Sequence, residues 1–149
     1  MKKSDVLVPK GMELAYDRFH FAPAVRAGKW LLCSGQLGTD ENFQVIAEPE
    51  AQFARAFDNA KSVLAAAKLD FRDVVELTTF HVGLRDHLGT FMKVKDRYLE
   101  APYPAWTAIG VIELAAPGAL VEIRLTARLR SAAAGKRARP KRRGVKQGR

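Results

Sequence analysis

Apolar positions recur along this chain in two rhythms. Over residues 119–129 they alternate, with Leu120, Glu122, Arg124 and Thr126 on one side and Val121, Ile123, Leu125 and Ala127 on the other. A period of two predicts a strand with one face buried and one open. Residues 107–114 predict an aliphatic strand before it, and Ala115-Ala116-Pro117-Gly118 marks the loop between the two. Over residues 48–68 the rhythm changes. Phe53, Ala56, Phe57, Ala60, Val63, Leu64 and Ala67 keep the i, i+3, i+4, i+7 spacing of a helix with one buried stripe. Pro49 falls in its first turn, where the missing N–H is harmless.

The remaining segments are weaker but ordered. Val6 and Val8 alternate ahead of Pro9 and predict a short edge strand. Residues 11–23 hold Tyr16, Phe19, His20 and Phe21 without a period and read as irregular. Residues 24–29 and 30–34 predict a β-hairpin turning at Gly28-Lys29, its second strand stopping at Gly35-Gln36; residues 38–42 form a loop. A β-branched and aromatic strand is expected over 74–84, then a second helix over about 86–99 with Leu88, Phe91, Met92, Lys95 and Tyr98 near one face; Pro102 and Pro104 end it. This order predicts an α+β fold, a mainly antiparallel sheet with two helices packed on one face. The sheet's other face then needs cover, which another copy of the chain commonly supplies, so a homo-oligomer is expected.

Composition narrows the class. The 149 residues suit one domain, and 48% hydrophobic with 28% charged residues is ordinary for a globular protein. No apolar run nears the ~20 residues that span a bilayer, so no membrane partner is expected. Lys2 and Lys3 precede no long apolar stretch, so a secretory signal is not expected, and the single cysteine, Cys33, points to a cytoplasmic location. The net charge of +9 is unevenly spread. Eight Lys or Arg and no acid lie in 131–149, leaving 17 basic against 16 acidic residues elsewhere. The domain is therefore expected over 1–130, followed by a basic, disordered tail over 131–149. That tail reads either as solubilising or as an arm for weak, nonspecific nucleic-acid contact that salt abolishes.

Candidate chemistry is sparse. His20, His81 and His87 have no ligand spacing among themselves or with Cys33, so no metal is expected. Neither GxGxxG nor GxxxxGK[ST] occurs, and no cofactor is expected. Cys33 lies in the apolar run WLLCS and reads as a small buried residue. Ser34 and Gly35 end a strand, where Gly either permits a turn or exposes backbone groups to a ligand. Glu122, between hydrophobic neighbours, is a candidate general acid or base. Arg124 and Arg128 share its side of the strand, so a structural ion pair is the competing reading.

Three segments, AVRAGKWLLCSGQLG, AFDNAKSVLAAAKLDFRDVVELTTFHVGLRD and YPAWTAIGVIEL…GALVEIRLTAR, together resemble the RidA/YjgF family over roughly residues 20–130. The resemblance implies a chorismate-mutase-like α+β fold, a homotrimer with clefts between adjacent subunits, and cofactor-free hydrolysis of enamines and imines to 2-oxo acids and ammonia. Some members are described as translation inhibitors that cleave RNA, which makes RNA binding through the basic tail one alternative for this chain; a non-catalytic ligand-binding or regulatory trimer is the other. In the family, the glutamate of the L-V-E-I run positions a water, and an arginine after the P-A dipeptide binds the substrate carboxylate. Glu122, Ser34 and Gly35 match, and Phe21 stands where an aromatic residue lines the pocket mouth. The arginine position holds Trp106, followed by Thr107. An indole cannot make the bidentate contact that a carboxylate takes. The expected site is therefore Glu122 as catalytic residue with Ser34, Gly35, Trp106, Phe21 and Thr107 around a flatter, more apolar small molecule stacked on the indole. Interface packing is the other reading of Trp106.

Overall fold

The computed structural model describes residues 1–130, and the tail expected to be disordered, 131–149, lies outside the described residues. The elements run β1 (Val6–Leu7), α1 (Glu13–Phe19), β2 (Ala24–Ala27), β3 (Trp30–Leu37), α2 (Pro49–Ala66), β4 (Val74–Val82), α3 (Leu84–Lys95), β5 (Ala105–Val111) and β6 (Val121–Arg128). The six strands form one sheet in the order β1-β2-β3-β6-β4-β5. Every neighbouring pair is antiparallel except β4 and β5. Parallel strands need a crossover, and α3 supplies it.

The inward row of β6, Val121, Ile123, Leu125 and Ala127, is buried against α2. From α2 come Phe53, Phe57, Val63 and Leu64, and from α3 Phe91 and Val94, all fully buried. Phe91 bridges the helices, its ring 5.6 Å from Phe53 and 5.7 Å from Phe57. Each such side chain contributes about 1.5–3 kcal/mol on leaving water. Helix α2 starts where its sequence says: the Glu48 carboxylate accepts from the N–H groups of Glu50 and Ala51, and Pro49 follows as the first helical residue. The hairpin also forms as expected, with Ala27 paired to Trp30 and Gly28 at φ +59°. Among the described residues no helix is long and apolar enough to cross a membrane.

Among the described residues three helices form rather than the two expected. The extra one, α1, lies in the stretch read as irregular. It spans seven residues and buries only Ala15, leaving Leu14, Tyr16 and Phe19 exposed, so it has no inward stripe for a pattern to reveal. Strand ends also differ, most of all in β3 and β5, while β4 stops at Val82, two residues early. β3 continues past Ser34 to Leu37, and β5 stops at Val111 instead of reaching residue 114.

β5 stops where its partner β4 does, at the Val82–Val111 pair, and the loop that follows is held by Gln52. Fully buried on α2, its Nε2 donates to the carbonyls of Ile46 at 2.8 Å and Gly118 at 3.2 Å, while its Oε1 accepts from Leu120 N–H at 2.6 Å. One amide thus draws the β5–β6 loop onto the helix. Gln52→Leu is expected to lower unfolding free energy by about 2–4 kcal/mol, because Leu120 N–H is left without its acceptor. Urea titration of both proteins measures it.

Candidate functional site

The site begins at an irregularity in β3. Cys33 pairs with Leu125 and Gln36 with Ile123, so Ser34 and Gly35 together oppose Arg124 alone. This β-bulge re-aims the strand. It is held from both sides: Ser34 N–H donates to Pro23 O at 2.9 Å, Ser34 Oγ to Ala22 O at 2.7 Å, and the buried Gln36 Nε2 to Ser34 O at 3.0 Å. Ser34 therefore spends its hydroxyl proton on shaping the strand end, and in doing so ties down the segment that carries the exposed Phe21. Gly35 is where the bulge meets Glu122. A β-carbon on Gly35 would stand 1.8 Å from Glu122 Oε1 and 2.7 Å from its Cγ, so only glycine fits beside this carboxylate.

Glu122 lies on the open face, in a row with Leu37 on one side and Phe80 then Ile109 on the other. Beside it is a depression of about 440 Å³ lined by Phe80, Val111, Glu113, Leu114, Ala115 and Glu122. Among the described residues its carboxyl group forms neither a hydrogen bond nor an ion pair, so the Arg124 or Arg128 pairing that competed for it is not made. The Arg128 guanidinium instead lies 5.6 Å over the Trp30 ring. Partial burial raises the proton affinity of Glu122 above the usual carboxylate range. Such a group can take a proton from water or accept one from a ligand N–H. Cys33, buried one strand away, has its thiol pushed up to about 12 by burial and is a poor nucleophile.

Trp106 is on the other face. It pairs with Leu77 in the core, its ring lies 6.0 Å from Phe91, and its Nε1 donates to Thr79 Oγ1 at 3.0 Å. Lys95 Nζ sits 5.1 Å over the indole and bonds Asp96 at 2.7 Å. One subunit therefore does not bring Trp106 to Glu122. Within one chain the sheet separates the indole from Glu122. Thr107 does share the open face, paired with Thr78 one row from Glu122.

Behind Trp106, Thr79 Oγ1 also meets His81 Nε2 at 2.8 Å; both residues are fully buried, and His81 Nδ1 has no partner. Burial, then the charge of His87, lowers the His81 pKa to about 4. The folded state thus keeps His81 neutral while the unfolded chain protonates it near 6.5. Stability from this residue is complete above pH 6.5 and is lost as pH falls towards 4. Wild type is expected to lose about 2–3 kcal/mol more than His81→Gln between pH 7 and 4.5, read from urea unfolding of each.

Sequence reasoning missed the wall of the depression: Phe80, Val111, Glu113, Leu114 and Ala115. Alternation in β4 puts Phe80 opposite to Thr79 and His81, which was a usable signal. Glu113 gave none, because residues 112–114 read as strand and are loop.

A family model described as endoribonuclease L-PSP matches residues 15–129. The RutC family protein YjgH of Escherichia coli (strain K12) is 35% identical over 130 residues, which is 87% of this chain and 98% of that protein. A 2-iminobutanoate/2-iminopropanoate deaminase of Dermatophagoides farinae is 33% identical over 98 residues, 63% of this chain and 74% of that one. Among solved structures, that of protein YJGH aligns with a TM-score of 0.79 at 35% identity, covering 85% of this chain and 96% of the other. The matched span holds every strand from β2 to β6 together with the bulge and Glu122, and on that ground the chain belongs to the endoribonuclease L-PSP family, the RidA/YjgF family its segments resemble.

Proposed function

We propose that this protein hydrolyses a small imine or enamine to a carbonyl compound and ammonia, in clefts between the subunits of a homotrimer. The observation that carries this reading is the partnerless, half-buried Glu122 carboxylate held against Gly35 beside an open depression. Glu122 takes a proton from water as its oxygen attacks the imine carbon. That proton passes to nitrogen, and as the C–N bond breaks the hydroxyl proton follows it by way of Glu122, so that a carbonyl compound and ammonia leave. No redox partner or metal enters this balance. The Dermatophagoides farinae relative, a 2-iminobutanoate/2-iminopropanoate deaminase by name, supports the reaction class.

The open sheet face, with Leu32 and Ile109 exposed, is the surface that neighbouring copies would cover. Trimer formation would also be the way for Trp106 of one subunit to approach Glu122 of another. Ser34 sets the bulge, Gly35 forms the wall, and Phe21 and Thr107 border the cleft. The test uses the full chain with imines generated in place by amino-acid and amine oxidases, ammonia release being timed, and light scattering for mass. Acceleration over spontaneous hydrolysis by a trimer supports the reading. A monomer, or no acceleration with either imine source, refutes it.

The uneven charge favours a second, separable activity, nonspecific RNA contact through residues 131–149. A chain ending at Arg130 is expected to lose that contact, seen as loss of salt-sensitive RNA retention in a gel shift. Retention by the shortened chain would place binding on the fold.

A further inference from the structure

We infer that Thr79 and His81 are positioning residues for Trp106: they take up its indole N–H inside the subunit, so that Trp106 offers a shared cleft only carbon. The inference rests on the reading above in taking Trp106 as a wall of that cleft, but it is built from bonds within one chain, on the helix-covered face of the sheet. Leu77, Thr79 and His81 stand in one buried row of β4, with Trp106, Ala108 and Gly110 beside them on β5. Trp106 pairs with Leu77, whereas Ala108 and Gly110 stand opposite Thr79 and His81. Their small size lets the indole lean along the strand, and its Nε1 reaches Thr79 Oγ1 at 3.0 Å.

The protons along this chain of bonds can be counted. Trp106 Nε1 donates only, so Thr79 Oγ1 accepts there. Thr79 Oγ1 and His81 Nε2 meet at 2.8 Å, and burial keeps the imidazole neutral. With the proton on Nε2, Thr79 would accept twice. Its own hydroxyl proton and the bare Nδ1 would then both lack a partner among the described residues. With the proton on Nδ1, Thr79 donates to Nε2 and one group alone is left over. A buried polar group without a partner costs about 1–3 kcal/mol, so the second arrangement wins.

Two more groups fix the ring. Phe91 lies 6.0 Å from the indole, and the ammonium of the buried Lys95 stands 5.1 Å over it while bonding Asp96. With its one donor spent on Thr79, the half-buried indole packs against a substrate without hydrogen-bonding it. Thr79 thereby sets what Trp106 selects, which is an apolar substituent.

The test follows the Trp106 indole proton of the full chain by NMR in heavy water, with Trp30→Phe telling the two indole signals apart. Measured against the Ile123 amide, which a general loss of stability would speed equally, this proton is expected to exchange about tenfold faster in Thr79→Val. Thr79→Ser, which keeps the hydroxyl, restores slow exchange. The His81 nitrogen shifts are expected to show the proton on Nδ1. Equal acceleration of indole and amide overturns the inference, as does failure of Thr79→Ser to restore protection or a proton on Nε2. Hydrolysis of imines made by an amine oxidase gives a second readout. Thr79→Val raises KM about two- to tenfold with kcat nearly unchanged, and adds nothing in a Trp106→Phe background. The same rise in KM without Trp106, or a loss confined to kcat, overturns the inference and leaves the hydrolase standing. If no imine is turned over, the hydrolase reading falls and the exchange rates alone decide this one.

Discussion

Glu122→Gln is expected to lower kcat/KM for imine hydrolysis by about 10²–10⁴-fold, the range that a positioned acid–base group contributes. The substitution preserves size and removes only the ability to take a proton. It breaks no internal bond, since the carboxylate has no partner among the described residues. Stability should rise slightly at neutral pH. The folded-state proton affinity of Glu122 is raised by burial, so the folded chain holds this proton at a pH where the unfolded chain has released it. Stability from this group accordingly falls as pH rises from 4.5 through the raised value, and glutamine removes that loss. The wild-type rate should also fall as pH drops through the raised pKa, because the base form does the work, and this acid limb should vanish from the residual rate of the variant. A Gln variant with the wild-type rate would leave Glu122 without a chemical role.

Gly35→Ala is the second large effect, and it acts through the same carboxylate. The new β-carbon would lie 2.5 Å from Glu122 Cδ and 2.7 Å from Cγ as well as 1.8 Å from Oε1, so turning the carboxyl group alone does not clear it. Either the whole Glu122 side chain swings away or the bulge is rebuilt. We expect a rate loss of about 10²-fold from misplacing the base, and about 1–3 kcal/mol of lost stability from overpacking. Coupling separates this mechanism from general damage. In a Glu122→Ala background the clash is gone, so Gly35→Ala should then cost little stability. In a Glu122→Gln background it should still destabilise but remove almost no further activity. Equal stability losses in all three backgrounds would mean that the glycine is needed for the bulge and not for the carboxylate.

What could be read from sequence followed from how many residues repeat a pattern. Helix α2 and strand β6 announce themselves because several inward residues keep one period, and their faces came out as expected, with Pro49 in the first turn of α2. Helix α1 did not, since it buries one residue. Glu122 was placed on the open face by parity alone. Its freedom from Arg124 and Arg128 was not readable, because spacing shows which groups share a face and not where a guanidinium finally rests. The face that Trp106 takes was not readable for a related reason. On β5 both alternating sets, Trp106-Ala108-Gly110 and Thr107-Ile109-Val111, mix apolar and small residues, so nothing in the strand says which set faces the helices. Only the register with β4, Trp106 against Leu77 and Thr107 against Thr78, settles it. The bulge was half visible in Ser34-Gly35-Gln36, although a turn explained the glycine equally well.

The position of β6 has a bearing on how the chain is made. Although last among the strands of the described residues, it lies between β3 and β4 and there alone links the β1-β2-β3 and β4-β5 portions of the sheet. While a ribosome is still adding residues before Val121, both portions present bare strand edges and a greasy face with nothing to seal them. The nascent chain must therefore be shielded until nearly all of the domain has emerged, and final closure is a late, all-or-none insertion. A premature stop codon upstream of Val121 would release a sticky fragment bound for aggregation or proteolysis, never a smaller working domain.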